Sequence, residues 1–324
     1  MQVFFLGPKR LRILTGGFIV LILLGGVFVN REQIARRLMG VRPGVKLEGQ
    51  LVQGLLPGEV AQLIKAWAAR INREPRNAYY FQESGEIIPA QTGRRIDIAA
   101  NVNRVFTAEP GADLKLLVRN LPPAISEEYF KAVYHGKKEF PRVALIINVA
   151  WGEEFLPDML KTLRAEKVKA TFFFVGTWVK LFPEMVREIA VDGHEIANHG
   201  MYHGHPEQMN QAELEKLILE NTELLTSVTG KKPVNYFGPP YGELNANIVN
   251  TAGKLGYRTI MWSVDSIDWK NPAPEVLLNR VLTRIEPGGI ILLHPTAPTK
   301  TSLRTLIQSL RKKGLEPGTV SSVL

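Results

Sequence analysis

Val143-Ala-Leu-Ile-Ile-Asn-Val149 is the stretch whose reading decides the fold. It is apolar at every position but one, with no alternation of polar and apolar residues. Such a run reads as a strand buried on both faces, as parallel strands are when crossover helices cover the sheet. The sequence downstream repeats the pattern. Strands are expected over 171–175, 195–197, 235–237, 259–263 and 289–293. Helices are expected between them over 157–164, 182–191, 212–228, 247–255 and 273–284, the third ended by Gly230. Alternating strand and helix with strands this apolar predicts an α/β domain, and about seven strands point to a distorted (β/α) barrel over 141–324.

Two further regions precede it. Residues 13–29 are uncharged and mostly apolar, with Lys9, Arg10 and Arg12 before them and Arg31, Arg36 and Arg37 after. At the short end of the roughly 17–25 residues a spanning helix needs, the segment reads as one N-terminal transmembrane helix within residues 1–30. A cleaved signal peptide is the rival, and no clear Ala-x-Ala cleavage site is present. The long region that follows is expected outside the cytoplasmic membrane. Residues 31–136 read as a small α+β domain. A helix is expected over 57–71, where Val60, Leu63, Ile64 and Trp67 share a face, with strands over 79–82, 95–98 and 114–118. Residues 134–141 are charged and end in Gly/Pro punctuation, as a linker does.

With no cysteine, disulfides and thiolate metal sites are excluded. The net charge of +9 is uneven: residues 1–140 hold 20 Lys and Arg against 12 Asp and Glu, a balance of +8. That favours an anionic lipid or wall polymer as a neighbour. The basic residues are scattered rather than striped, so no nucleic-acid partner is expected.

Four of the six histidines fall within residues 193–205. His199 and His203 stand four apart just after a strand, and imidazole suits zinc and related ions. A hydrogen-bonding surface loop is the alternative reading. His294 ends the strand 289–293, where barrel enzymes place catalytic groups. Asp265 and Asp268 follow the strand 259–263 in the same way, and a carboxylate beside a histidine orients it.

These motifs together carry a family resemblance. Lys169-Ala-Thr-Phe-Phe-Phe-Val-Gly176, Gly193-His-Glu-Ile-Ala-Asn-His199, Pro239-Pro-Tyr-Gly242, Trp262-Ser-Val-Asp-Ser-Ile-Asp-Trp269 and Leu292-Leu-His294 occur in order. In them the chain resembles the NodB-homology polysaccharide deacetylases of carbohydrate esterase family 4. The resemblance implies metal-dependent removal of acetyl groups from N-acetylated sugars of a wall glycan such as peptidoglycan or chitin. It places a divalent metal, zinc above cobalt or others, on His199 and His203. It makes His294 the general acid and Asp265 the residue that tunes it. It assigns Pro240, Tyr241, Trp269 and Leu293 to the substrate pocket.

Three positions depart from the family. Asn148 stands where the general-base Asp belongs, Val149 where the third metal ligand belongs, and Gly238 where the motif arginine belongs. An amide accepts no proton near neutral pH, and losing a general base costs on the order of 10²–10⁴ in rate. Glu153 and Glu154 are candidate substitutes for the missing ligand. Two readings therefore stand side by side: a metal-dependent deacetylase, and a lapsed deacetylase-like module that binds wall glycan. A membrane-tethered structural protein is a third. The Ile147–Gly152 segment resembles a sporulation-associated branch of these proteins. Residues 45–49, 54–60 and 88–100 resemble a peptidoglycan-binding-like domain found beside VanW-type wall proteins, which implies either glycan binding or a spacer.

Overall fold

The structure, a computed structural model, describes residues 31–81 and 83–324. The expected membrane segment, 13–29, lies outside the described residues; among these, no helix is long and apolar enough to cross a membrane. The chain divides into two compact units. One holds residues 31–76 and 91–123, the other 77–90 and 124–324. The division differs from the expected break at 136–141. The segment 77–90 joins the larger unit, where Asn77 Oδ1 accepts from the Ala124 and Ile125 amides at 2.9 and 3.0 Å. His135, expected in a linker, bridges to Gly289.

The smaller unit is α+β. It contains α1 (Arg31–Met39), α2 (Pro57–Ile71) and α3 (Ile98–Thr107). Its strands are β1 (Lys46–Leu47), β2 (Gln50–Leu51), β5 (Gly93–Ile96), β6 (Asp113–Leu114) and β7 (Val118–Leu121), with β1 between β2 and β6, and β5 antiparallel to β7. The predicted stripe of α2 buries Val60 and Ile64, with Leu63 and Trp67 at its edge. The expected strand over 114–118 is split instead. Between β6 and β7 the chain detours to bond Asn101, whose amide accepts from Leu117 N at 2.7 Å and donates to Leu117 O at 3.0 Å.

In the larger unit, β3 (Tyr79–Phe81) and β4 (Glu86–Ile88) form a hairpin. The main sheet has nine strands, two more than expected. They are β8 (Ala132–Val133), β9 (Arg142–Val149), β10 (Thr171–Phe174), β11 (Glu195–Asn198), β12 (Tyr236–Phe237), β13 (Arg258–Ile260), β14 (Val264–Asp265), β15 (Ile290–Leu293) and β16 (Glu316–Gly318). All pairings are parallel, in the order β14-β15-β9-β10-β11-β12-β13-β8, with β16 beside β9. The sheet curls into an incomplete, distorted barrel with no pairing between β14 and β8. Helices cover its outside: α4 (Leu156–Ala165), α5 (Gly176–Leu181), α6 (Pro183–Val191), α7 (Gln211–Thr229), α8 (Ala246–Lys254), α9 (Pro274–Leu282) and α10 (Ala297–Lys312). The single helix expected over 182–191 is preceded by another. Pro183, which lacks an N–H, opens α6 and separates it from α5.

Side-chain parity along β9 explains its unbroken apolar run. Val143, Leu145, Ile147 and Val149 pack outward against the helices, while Ala144 and Ile146 fill the barrel interior. Asn148 follows on the inner side at the strand's C-terminal end. Thus the one polar residue of the decisive stretch points into the mouth of the barrel. Long α7 is fixed at both ends, by a capping box between Asn210 and Glu213 and by Gly230 at φ 71°.

Candidate active-site pocket

A cleft of about 700 Å³ opens at the C-terminal ends of the barrel strands. Asn148, Trp151, His199, His203, Tyr241, Trp262, Asp265, Trp269, Leu292 and His294 are among its walls. The strand tops thus gather residues more than 140 positions apart in sequence, as the (β/α) architecture requires.

His199 follows β11 and is 2% exposed. Its Nδ1–H donates to the Gly238 carbonyl at 2.6 Å, which directs Nε2 to the cleft. Burial drives its pKa down to about 3, so the ring is neutral. His203 lies beside it, ring centroids 5.3 Å apart, and burial lowers its pKa too. His205 turns away to Glu243, Nδ1 to Oε1 2.6 Å, and stacks on Tyr241 at 4.5 Å.

The His294 ring is held by a carboxylate, and that carboxylate is Asp268 rather than the expected Asp265. His294 Nδ1 lies 2.8 Å from Asp268 Oδ1. Asp268 Oδ2 accepts from the His294 backbone N–H at 2.6 Å and the Thr299 hydroxyl at 2.5 Å. Asp268 is fully buried. Asp265 lines the cleft, but its Oδ1 accepts from Ile267 N at 2.8 Å. The cause is a turn: Ile267 adopts φ 56°, which reverses the chain after β14 and carries Asp268 under His294. Two further expectations are corrected. Leu293 is fully buried in the outer core, since strand parity gives the inner side to Leu292. Pro240 is buried and absent from the cleft lining, which takes in its neighbours Tyr241 and Gly242. Tyr241 and Trp269 do line it, and both are exposed.

Asn148 faces the cleft with its Oδ1 buried and without a hydrogen-bond partner among the described residues. Val149 packs into the outer core. Glu153 and Glu154 sit in a short 3₁₀ turn and are absent from the cleft lining. Among the described residues no group of three or more His, Cys, Asp or Glu converges. The donors present are two neutral imidazoles and an amide oxygen. Catalytic zinc is held by three ligands drawn from Cys, His, Asp and Glu, and only the two imidazoles are of that kind, so this set does not fit the resident zinc that the resemblance implies. Gly238 is equally settled in its altered role: a Cβ there would lie 2.9 Å from Phe173 Cδ1.

Trp151 was not anticipated from sequence. Its indole lies flat over the His294 imidazole, centroids 5.3 Å apart and planes 16° apart, and its edge faces His203 at 6.4 Å. Gly152 makes this possible. It adopts φ 78°, and a Cβ there would fall 2.0 Å from the Pro295 carbonyl oxygen. The loop after β9 is therefore pressed onto the segment after His294. The signal available was an aromatic residue and a glycine directly after a buried strand.

The sequence profile described as polysaccharide deacetylase matches residues 135–260. A peptidoglycan-N-acetylglucosamine deacetylase of Bacillus cereus is 32% identical over 201 residues, covering 60% of this chain and 73% of that one. The crystal structure of a CE4 family pseudoenzyme from Bacillus anthracis matches with a TM-score of 0.59 and 32% identity, over 82% of this chain and 94% of that one. A mutant of that pseudoenzyme, described as having restored enzymatic activity, matches with a TM-score of 0.59 and 31% identity, over 82% of this chain and 97% of that one.

Proposed function

This chain belongs to the polysaccharide deacetylase family, and we infer that it is a lapsed member, one that binds N-acetylated wall glycan without hydrolysing it. Asn148 carries this reading. The strand end that should present a carboxylate base presents an amide, and an amide takes no proton from water. Val149, turned into the core, adds no ligand. The similarity to a CE4 pseudoenzyme supports the same conclusion.

What survives suits binding. Trp151, Tyr241 and Trp269 are 43%, 58% and 50% exposed around the cleft, flat apolar faces of the kind that stack on a pyranose ring. The unpartnered Asn148 Oδ1 is an acceptor for an acetamido N–H. A buried acceptor left without a partner costs about 1–3 kcal/mol, which a ligand N–H would recover. The acid is also shielded: Trp151 covers His294. We place the protein outside the cytoplasmic membrane, tethered by Ile13–Val29, with a role at the wall or spore cortex suggested by the resemblance of residues 147–152.

Calorimetric titration with an N-acetylglucosamine tetramer tests the reading. Wild type should bind without releasing acetate, and Trp151→Ala should bind at least several-fold more weakly. No binding by wild type at millimolar oligomer would sink it.

A further inference from the structure

Helix α1 buries no residue of its own. Ile34, Leu38 and Met39 are 41%, 79% and 62% exposed. Ile34 and Leu38 are one turn apart and form an apolar stripe, with Arg31 and Arg37 at its borders. Arg36 lies on the opposite side and is tied to its own unit, to Glu59 at 2.7 Å and the Gly54 carbonyl at 3.3 Å. The helix is thus held by its polar side and presents its apolar side to the surroundings, the reverse of a helix packed on a core.

Beside α1 is a cleft of about 610 Å³, lined by Arg37, Leu38, Met39, Arg42 and Phe106 among others. Arg37 pairs with no carboxylate among the described residues. Arg42 donates to the Ala108 carbonyl at 3.4 Å, and among the described residues its one carboxylate neighbour is the exposed Glu109, at 3.6 Å. Residues 31–42 hold four Arg and one Glu, a balance of +3. Cationic and apolar groups share one surface, which matches an amphiphile with a phosphate head.

Chain length supplies the occupant. Arg31, the first described residue of α1, stands two residues beyond Val29, the end of the apolar segment. Two residues span at most about 7 Å, and each headgroup layer is on the order of 5–7 Å thick. With 13–29 in a bilayer, Arg31 has no room to lie anywhere but at the lipid surface. We propose that α1 lies along the membrane with Ile34 and Leu38 at the headgroup–acyl boundary, while Arg37 and Arg42 seat the phosphate of an anionic phospholipid. The proposal rests on the tether described under the proposed function, and on nothing in the glycan cleft.

The chain has no cysteine, so Leu38→Cys introduces a single thiol for an environment-sensitive fluorophore. The full chain would be reconstituted into vesicles of phosphatidylglycerol with phosphatidylcholine, and of phosphatidylcholine alone. A label at Leu181→Cys, 73% exposed on the larger unit, is the control. Flotation reports the tether separately. The label at 38 should shift to the blue and brighten on the anionic vesicles, and less on the neutral ones. Arg37→Glu with Arg42→Glu should remove the difference between the two lipids, and the control should stay water-like. Protein that floats with a water-like label at 38 overturns the proposal alone. Protein that does not float, with the label water-like, overturns the tether as well. A label that answers to soluble glycerol-phosphate polymer and not to vesicles overturns it in favour of a wall polymer.

Discussion

Asp268→Asn should be among the most damaging single-atom changes in the larger unit. The carboxylate is fully buried and receives three close hydrogen bonds, from the His294 ring, the His294 backbone and the Thr299 hydroxyl. Both carboxylate oxygens are used. Replacing one by NH₂ sets a donor against a donor, losing at least one bond and leaving His294 without its charged partner. Breaking one side of a buried, hydrogen-bonded pair costs about 3–5 kcal/mol. For a unit of this size, 1 kcal/mol shifts the melting temperature by about 2–4 °C, so a fall of roughly 6–20 °C is expected. Asp265 uses only one carboxylate oxygen, accepting from Ile267 N, and the amide oxygen of Asp265→Asn can take over that bond, so the change should cost less than about 1 kcal/mol. Differential scanning calorimetry of the two variants in detergent separates them. Equal shifts, or a larger one for Asp265→Asn, would refute the assignment of Asp268 as the residue that holds His294.

Two more outcomes follow from buried groups. His194 accepts the Ala170 N–H through Nδ1 at 3.1 Å, and burial lowers its pKa from 6.5 to about 4. The unfolded chain therefore binds a proton below pH 6.5 that the folded chain refuses. Stability from this group is complete well above pH 6.5 and declines toward pH 4, by about 1.6 kcal/mol between pH 6.5 and 5; urea midpoints should show that decline in wild type and a flatter profile in His194→Asn. Gly152→Ala should cost about 2–4 kcal/mol, from left-handed strain and the contact with Pro295, and should weaken tetramer binding by displacing Trp151, read by urea titration and calorimetry.

The barrel was legible because β9, β10 and β15 are apolar on both sides, a pattern that only a covered parallel sheet explains. His199, His203 and His294 were legible because they follow or end strands of the sheet, while Asn148, Tyr241 and Trp269 were legible only through the family resemblance. Side-chain direction was harder to read. Choosing between Asp265 and Asp268 depends on the left-handed turn at Ile267, which no local preference of isoleucine announces. Leu293 was misplaced by one residue, and in a strand one residue means the opposite face. The hairpin 79–88 joins the larger unit through contacts with residues 124–127 and α8, far along the chain, so nothing nearby in sequence marks it. α10 was readable and missed: Leu303, Leu306, Ile307 and Leu310 hold helical spacing and are all buried.

The central claim is that the retained histidines no longer serve hydrolysis. Acetate release from an N-acetylglucosamine tetramer, with zinc or cobalt added, tests it most directly. Wild type should release no more than its His294→Ala variant, with or without the added metal. Metal-dependent release by wild type that is lost in His294→Ala would contradict the account.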